Sequence, residues 1–210
     1  FSGKSIVDVV NIGIGGSDLG VAMGAFALME YRLSSVNVHF VSSIDGVQLM
    51  QILGQVDPET TLFVICSKSF STLETLSNAV IARKWLEDSK GGQLAVARQF
   101  VAVSANHEAL DRFGIARERQ FSTWDWVGGR YSIWSSMGLS LALATGWEHF
   151  EAMLNGAHAM DQHFSTTPSA DNLPVVLALL GIWNRNMLCT SGHAILPYDY
   201  HLRWLPAYLQ

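Results

Sequence analysis

The chain has 210 residues, 49% of them apolar, and carries 13 Lys and Arg against 18 Asp and Glu for a formal charge of −5. That apolar share is enough for one large α/β unit with a sizeable core, and the net acidity excludes a basic nucleic-acid or membrane surface, so any anion recognition must be local. The longest greasy run, Leu173–Trp183, contains Pro174 and is well short of the roughly 20 residues a membrane span needs.

Strand-like runs rich in Val, Ile and Phe occur at Ile6–Ile14, Val36–Ser42, Thr61–Cys66 and Gln99–Ser104, with a weaker one near Gln120–Asp125. Helical spacing of apolar residues fills the gaps at Ser17–Tyr31, Gly46–Gly54, Thr72–Ser89 and His107–Phe113. Strands that are continuously apolar belong to a parallel sheet covered on both faces, so the alternation predicts an α/β, doubly wound, five-stranded parallel sheet flanked by helices. From Ile133 the pattern turns helical, at Ile133–Ala144, Trp147–Phe164 and Asn172–Thr190. We therefore expect an α/β domain over residues 1–132 and a helical extension over 133–210. Cys66 and Cys189 make neither a disulfide framework nor a metal motif and read as two small buried side chains. No signal peptide is evident, which makes a reducing cytoplasmic setting the expectation. The chain starts close to a strand and ends in an aromatic segment without a polar tail, as an excerpt of a longer protein would.

Three segments carry chemistry. The turn Asn11-Ile12-Gly13-Ile14-Gly15-Gly16-Ser17-Asp18 joins the first strand to the first helix. As a dinucleotide fingerprint it fails, because Asp18 stands at the third glycine and the second strand ends in Val41-Ser42-Ser43 without a ribose-binding acid. It is either a tight turn capped by Ser17 or a backbone wall against a small polar ligand.

The second segment, Ser67-Lys68-Ser69-Phe70-Ser71-Thr72-Leu73-Glu74-Thr75, leaves an apolar strand and enters a helix. Unpaired N–H groups at a helix N-terminus attract anions, and hydroxyls at the same turn add donors. Ser71 to Glu74 also fits a capping box, in which Ser71 caps the helix and Glu74 reaches back, but capping does not account for Ser67, Ser69, Thr72 and Thr75. In the third segment, Asp125-Trp126-Val127-Gly128-Gly129-Arg130, a guanidinium walled by Trp124, Trp126 and Trp134 can stabilise an oxyanion, or Arg130 can pair with Asp125. Asp18, Glu74 and Asp125 are the carboxylates nearest these segments, and the seven histidines show no metal spacing.

Taken in order, Ile12 to Ser17, Ser67 to Thr75 and Gly128-Gly129-Arg130-Tyr131-Ser132 resemble the glucose-6-phosphate isomerase family, and Leu196-Pro197-Tyr198-Asp199 and Pro206 to Gln210 extend the likeness to the end of the chain. The resemblance implies a sugar-isomerase (SIS) domain in which Ser67, Lys68, Ser69, Thr72 and Thr75 hold the phosphate of glucose 6-phosphate or fructose 6-phosphate. Gly15, Gly16 and Ser17 would line the sugar, and Arg130 would be the catalytic residue that stabilises a cis-enediolate. It implies no metal, nucleotide or other cofactor, a hexose 6-phosphate as the partner, a homodimer in the full-length protein, and a place in glycolysis and gluconeogenesis. The family's general base is a Glu in a Met-Glu-Ser-Asn-Gly-Lys motif that follows the segment matching Tyr208-Leu209-Gln210, so the isolated chain is expected to be inactive. A non-catalytic SIS module that senses a sugar phosphate is the alternative.

Overall fold

A computed structural model describes residues 1–210. Five strands, β1 (Asp8–Ile12), β2 (Asn37–Val41), β3 (Thr61–Cys66), β4 (Phe100–Ser104) and β5 (Gln120–Ser122), form one all-parallel sheet in the order β2-β1-β3-β4-β5. The chain leaves β1 towards β2 on one side, and β3 and β4 continue on the other. This topological switch between the C-terminal ends of β1 and β3 opens a crevice, the usual ligand position in such sheets.

Strand alternation sends side chains to two cores. Val10 and Ile12, Phe63 and Ile65, and Phe100 and Ala102 face helices α2 (Gly46–Leu53), α3 (Leu73–Glu87), α4 (Gly92–Gln99) and α5 (His107–Phe113), with Leu49, Ala82, Leu86 and Leu110 buried against them. Val9, Val64, Cys66, Val101 and Val103 face Met137 and the Leu139 and Leu143 side chains of α6 (Leu139–Thr145). A smaller cluster joins Val21 of α1 (Leu19–Ala27) to Ile133, Leu141 and Phe150, the last from α7 (Trp147–Thr166).

The α/β architecture agrees with the expectation, and the differences are local. The helix α4 has no counterpart among the expected elements; it is a two-turn element beginning at Gly92 whose Ala95 and Val96 are buried against the sheet. The expected helix from Ile133 starts only at Leu139, after two 3-10 turns, Gly129–Trp134 and Ser136–Gly138. Serine hydroxyls compete with helical hydrogen bonding here: Ser135 Oγ donates to the Ser132 carbonyl at 2.7 Å and accepts from Met137 N–H at 3.2 Å. Cys189 is exposed rather than buried, because the chain leaves α8 (Leu173–Asn186) at Met187 for an irregular stretch. A short terminal helix, α9 (Leu205–Leu209), packs back on α1. The helix α8 has no buried residue and exposes Leu177, Leu180 and Trp183. No helix is long and apolar enough to cross a membrane.

Candidate functional site

A cleft of about 730 Å³ lies at the C-terminal ends of β1, β3 and β4. Ser67, Lys68, Ser69, Thr72 and Thr75 form one wall, Ile14 and Ser17 a second, and Ala105, Asn106, His107, Glu108 and Asp125 the third. Six of the nine residues expected at the site therefore share one cavity. Sheet topology brings them together: the connections after β1 and β3 leave in opposite directions, so Ser17 and Thr75 approach from opposite walls.

The hydroxyl loop is not used up by capping. The N-cap of α3 is Thr72, in extended geometry, and no side-chain oxygen caps the helix. Ser71 does not cap as the sequence pattern suggested; its hydroxyl pairs with that of Ser69 at 2.7 Å. Ser67 Oγ lies 3.4 Å from Thr72 Oγ1. Thr75 is only 2% exposed, yet its Oγ1 has no hydrogen-bond partner. A buried hydroxyl left unpaired costs about 1–3 kcal/mol, and this one belongs to a residue that lines the cleft. Lys68 spans the opening, its Nζ donating to the backbone carbonyl of Asp125 at 2.5 Å. Uncapped helix N–H groups, convergent hydroxyls and one ammonium together form a cradle of donors whose chemistry suits an anion.

The glycine turn sits beside the cradle. Gly15 has φ +60° and opens a 3-10 turn, Gly15–Ser17, that carries Ser17 to the cleft. Gly16 packs against the Gly128–Gly129 strap so closely that a Cβ there would lie 2.3 Å from the Gly129 carbonyl oxygen. Gly15 and Gly16 thus shape the wall without lining the cavity itself. Ser17 is not the cap of α1; Asp18 takes that place.

The phosphoglucose isomerase family model matches residues 1–210. The chain belongs to the phosphoglucose isomerase family. It is 54% identical over all 210 residues to a glucose-6-phosphate isomerase from Dechloromonas aromatica (strain RCB), of which it covers 40%. Its fold matches a crystal structure of a glucose-6-phosphate isomerase from Chlamydia trachomatis with a TM-score of 0.87 at 37% identity, covering 98% of this chain and 39% of the other. A protein described as hypothetical from Thermus thermophilus matches with a TM-score of 0.80 at 30% identity, covering 97% of this chain and 47% of that one. The chain thus spans about 40% of the length of its glucose-6-phosphate isomerase relatives.

Within this family member Arg130 does not line the cleft. Its Nη1 donates to the Leu209 carbonyl, and its own carbonyl accepts from the Tyr208 hydroxyl at 2.6 Å, so α9 holds it on both sides. The expected dry aromatic wall is not formed: Arg130 is exposed, and Trp126 is 81% exposed, stacked on Trp124 at 5.5 Å. The alternative ion pair with Asp125 is not formed either, for the Arg130 guanidinium is held by α9.

Two buried groups of the glycine turn, Asn11 and Asp18, were given no binding or catalytic role from sequence and lie beneath the site. Asn11, fully buried, donates from Nδ2 to the Ser17 carbonyl at 3.1 Å and accepts at Oδ1 from Ser140 at 2.8 Å, tying the glycine turn to β1 and α6. A lone polar residue at the end of an apolar strand was the available signal. Asp18 is 7% exposed, and its Oδ1 has no hydrogen-bond partner. Burial pushes its carboxyl up to about 6, opposed by a hydrogen bond from Ser42. Burial also drives the Cys66 thiol up to about 12, with the Asp18 charge adding to the effect, so Cys66 is a packing residue rather than a nucleophile.

Asp18 has a consequence for stability. In the unfolded chain its pKa returns to about 3.8. Between pH values near 4 and 6 the folded state therefore holds more protons, and stability falls as pH rises through that window, then levels off. Asp18→Asn is expected to raise the unfolding free energy by roughly 1–3 kcal/mol at neutral pH and to change it little below about pH 4. Urea denaturation across that pH range checks this, and a variant gain that does not vary with pH would refute it.

Proposed function

We propose that this chain supplies the phosphate-holding part of an aldose–ketose isomerase that interconverts glucose 6-phosphate and fructose 6-phosphate through a cis-enediolate, in glycolysis and gluconeogenesis. The observation that carries the reading is the Thr75 hydroxyl, buried and unpartnered at the uncapped start of α3, in a cleft it shares with Ser67, Lys68, Ser69 and Thr72. In this reading those five residues hold the phosphate, and Ser17, presented by the Gly15–Gly16 turn, lines the sugar. Arg130 stabilises the enediolate oxygen after leaving the Leu209 carbonyl; an exposed guanidinium on a Gly-Gly strap has the freedom for that movement. Residues 1–132 form the SIS unit in this division and 133–210 a helical extension, of which α6 covers the second face of the sheet. In this reading the full-length protein is a homodimer in a cytoplasmic setting, and the exposed apolar residues of α8 are a face for it to cover.

The general base belongs to a Met-Glu-Ser-Asn-Gly-Lys motif that does not occur in these 210 residues. Binding and turnover should therefore separate. We expect the 210-residue chain to bind 6-phosphogluconate and to show no isomerase turnover. A ligand at about 100 times its dissociation constant adds roughly 2.7 kcal/mol of stability, which a thermal melt reads as a clear rise in Tm. A melt indifferent to the ligand would count against the cradle, and turnover by a preparation free of host enzyme would count against the missing base.

A further inference from the structure

The β4–α5 connection, whose Ala105 and Asn106 also line the cleft, grips the hydroxyl loop through its carbonyls. Ser104 Oγ and the Ala105 N–H both donate to the Lys68 carbonyl at 2.9 Å, and Asn106 Nδ2 donates to the next carbonyl, Ser69, at 3.2 Å. Ser104 is fully buried, and its hydroxyl also accepts from the Asn106 N–H at 3.0 Å, so the two side chains act as one clamp. Asn106 is anchored in turn, because its Oδ1 caps α5 by accepting from Ala109 N–H at 3.1 Å.

The loop needs holding. Phe70 has φ +50°, a left-handed conformation that a residue with a Cβ adopts at a cost of about 1–2 kcal/mol. Its ring is buried edge-on against Phe113 at 5.5 Å, which pins the side chain but leaves the direction of the preceding peptides to other contacts. In a planar trans peptide the N–H points opposite the C=O, so fixing the Lys68 carbonyl also fixes the Ser69 N–H. That N–H donates to no acceptor in the chain.

We infer that Ser104 and Asn106 are positioning residues for anion binding: by engaging two successive carbonyls of the loop, they set its course between Ser67 and Thr72 and keep the unpaired Ser69 N–H available to a phosphoester. The inference rests on the phosphate reading above. Neither residue is assigned contact with the sugar phosphate.

The test uses the 210-residue chain and two probes, 6-phosphogluconate and inorganic phosphate, with affinities measured well below the melting temperature. Asn106→Ser keeps an N-cap for α5 but cannot reach the Ser69 carbonyl. It is expected to weaken both probes by about fivefold to tenfold, the worth of one hydrogen bond, with Tm moved by less than about 2 °C. Ser104→Ala is expected to weaken both by about tenfold, and Ser104→Thr, which retains the hydroxyl, to recover most of the loss. A purely structural role would lower Tm and leave both affinities unchanged. Binding by the wild type that is unaltered in Asn106→Ser and Ser104→Ala would overturn the inference and leave the phosphate reading standing. Failure of the wild type to bind either probe would overturn both.

Discussion

Replacing Gly16 by Ala is expected to destabilise the chain by roughly 3 kcal/mol, a fall in Tm of roughly 6–12 °C for a chain of this size, and to weaken sugar-phosphate binding at the same time. The added Cβ would stand 2.3 Å from the Gly129 carbonyl oxygen, 2.7 Å from its carbonyl carbon and 2.8 Å from its Cα. All three are backbone atoms, so no rotamer change relieves the clash; the turn and the strap must move apart. The turn carries Ser17 and the strap carries Arg130, so the Ser17 wall of the cleft and the Arg130 strap shift together with the fold. Gly128→Ala is the control. Gly128 is extended, with nothing within 4 Å of its Cβ position, and its replacement should stay within about 0.5 kcal/mol. Thermal and urea unfolding of the two variants decide the matter, and equal stabilities would show that the Gly16–Gly129 contact yields easily.

Lys68→Met is expected to weaken 6-phosphogluconate binding by roughly 10–150-fold, the range that one charged hydrogen bond supplies, while leaving Tm close to that of the wild type. Lys68 Nζ holds a single protein contact, the Asp125 carbonyl, and that acceptor lies where water can replace the ammonium. Its contribution to folding is therefore small compared with its contribution to an anion arriving between Ser67 and Thr75. Isothermal titration with 6-phosphogluconate and with inorganic phosphate measures the effect. Equal affinities in wild type and variant would remove Lys68 from the cradle.

Much of this could be read along the chain. The strand Thr61–Cys66 has the bounds its apolar run suggests, because a strand buried on both faces leaves a continuous signal that no surface compromise blurs. The hydroxyl loop was legible for a related reason: a dense run of short hydroxyl side chains around one lysine, at a strand-to-helix junction, exceeds what capping requires. Less visible was the helix α4, eight residues that bury only Ala95, Val96 and Gln99 and so show a weak apolar pattern. The 3-10 turns before α6 were hidden for another reason. Their apolar spacing is compatible with a helix, and only the local bonding of Ser132 and Ser135 redirects the backbone.

By itself the sequence determined the alternation of the five strands with most of the helices and the parallel character of the sheet, and it marked the hydroxyl run of the candidate site, since these depend on local periodicity and on which side chains occupy one turn. Tertiary structure alone decided which residues meet. The reversal of connection between β1 and β3 places Ser17 opposite Thr75, across more than fifty positions of chain. It also decided that Thr72 rather than Ser71 is the N-cap position of α3, that Arg130 rests on α9 outside the cleft, and that Ser104 and Asn106 hold the loop by its carbonyls. Each of these turns on the partner available to a donor or acceptor, and a partner distant in sequence is set by how the sheet and helices pack.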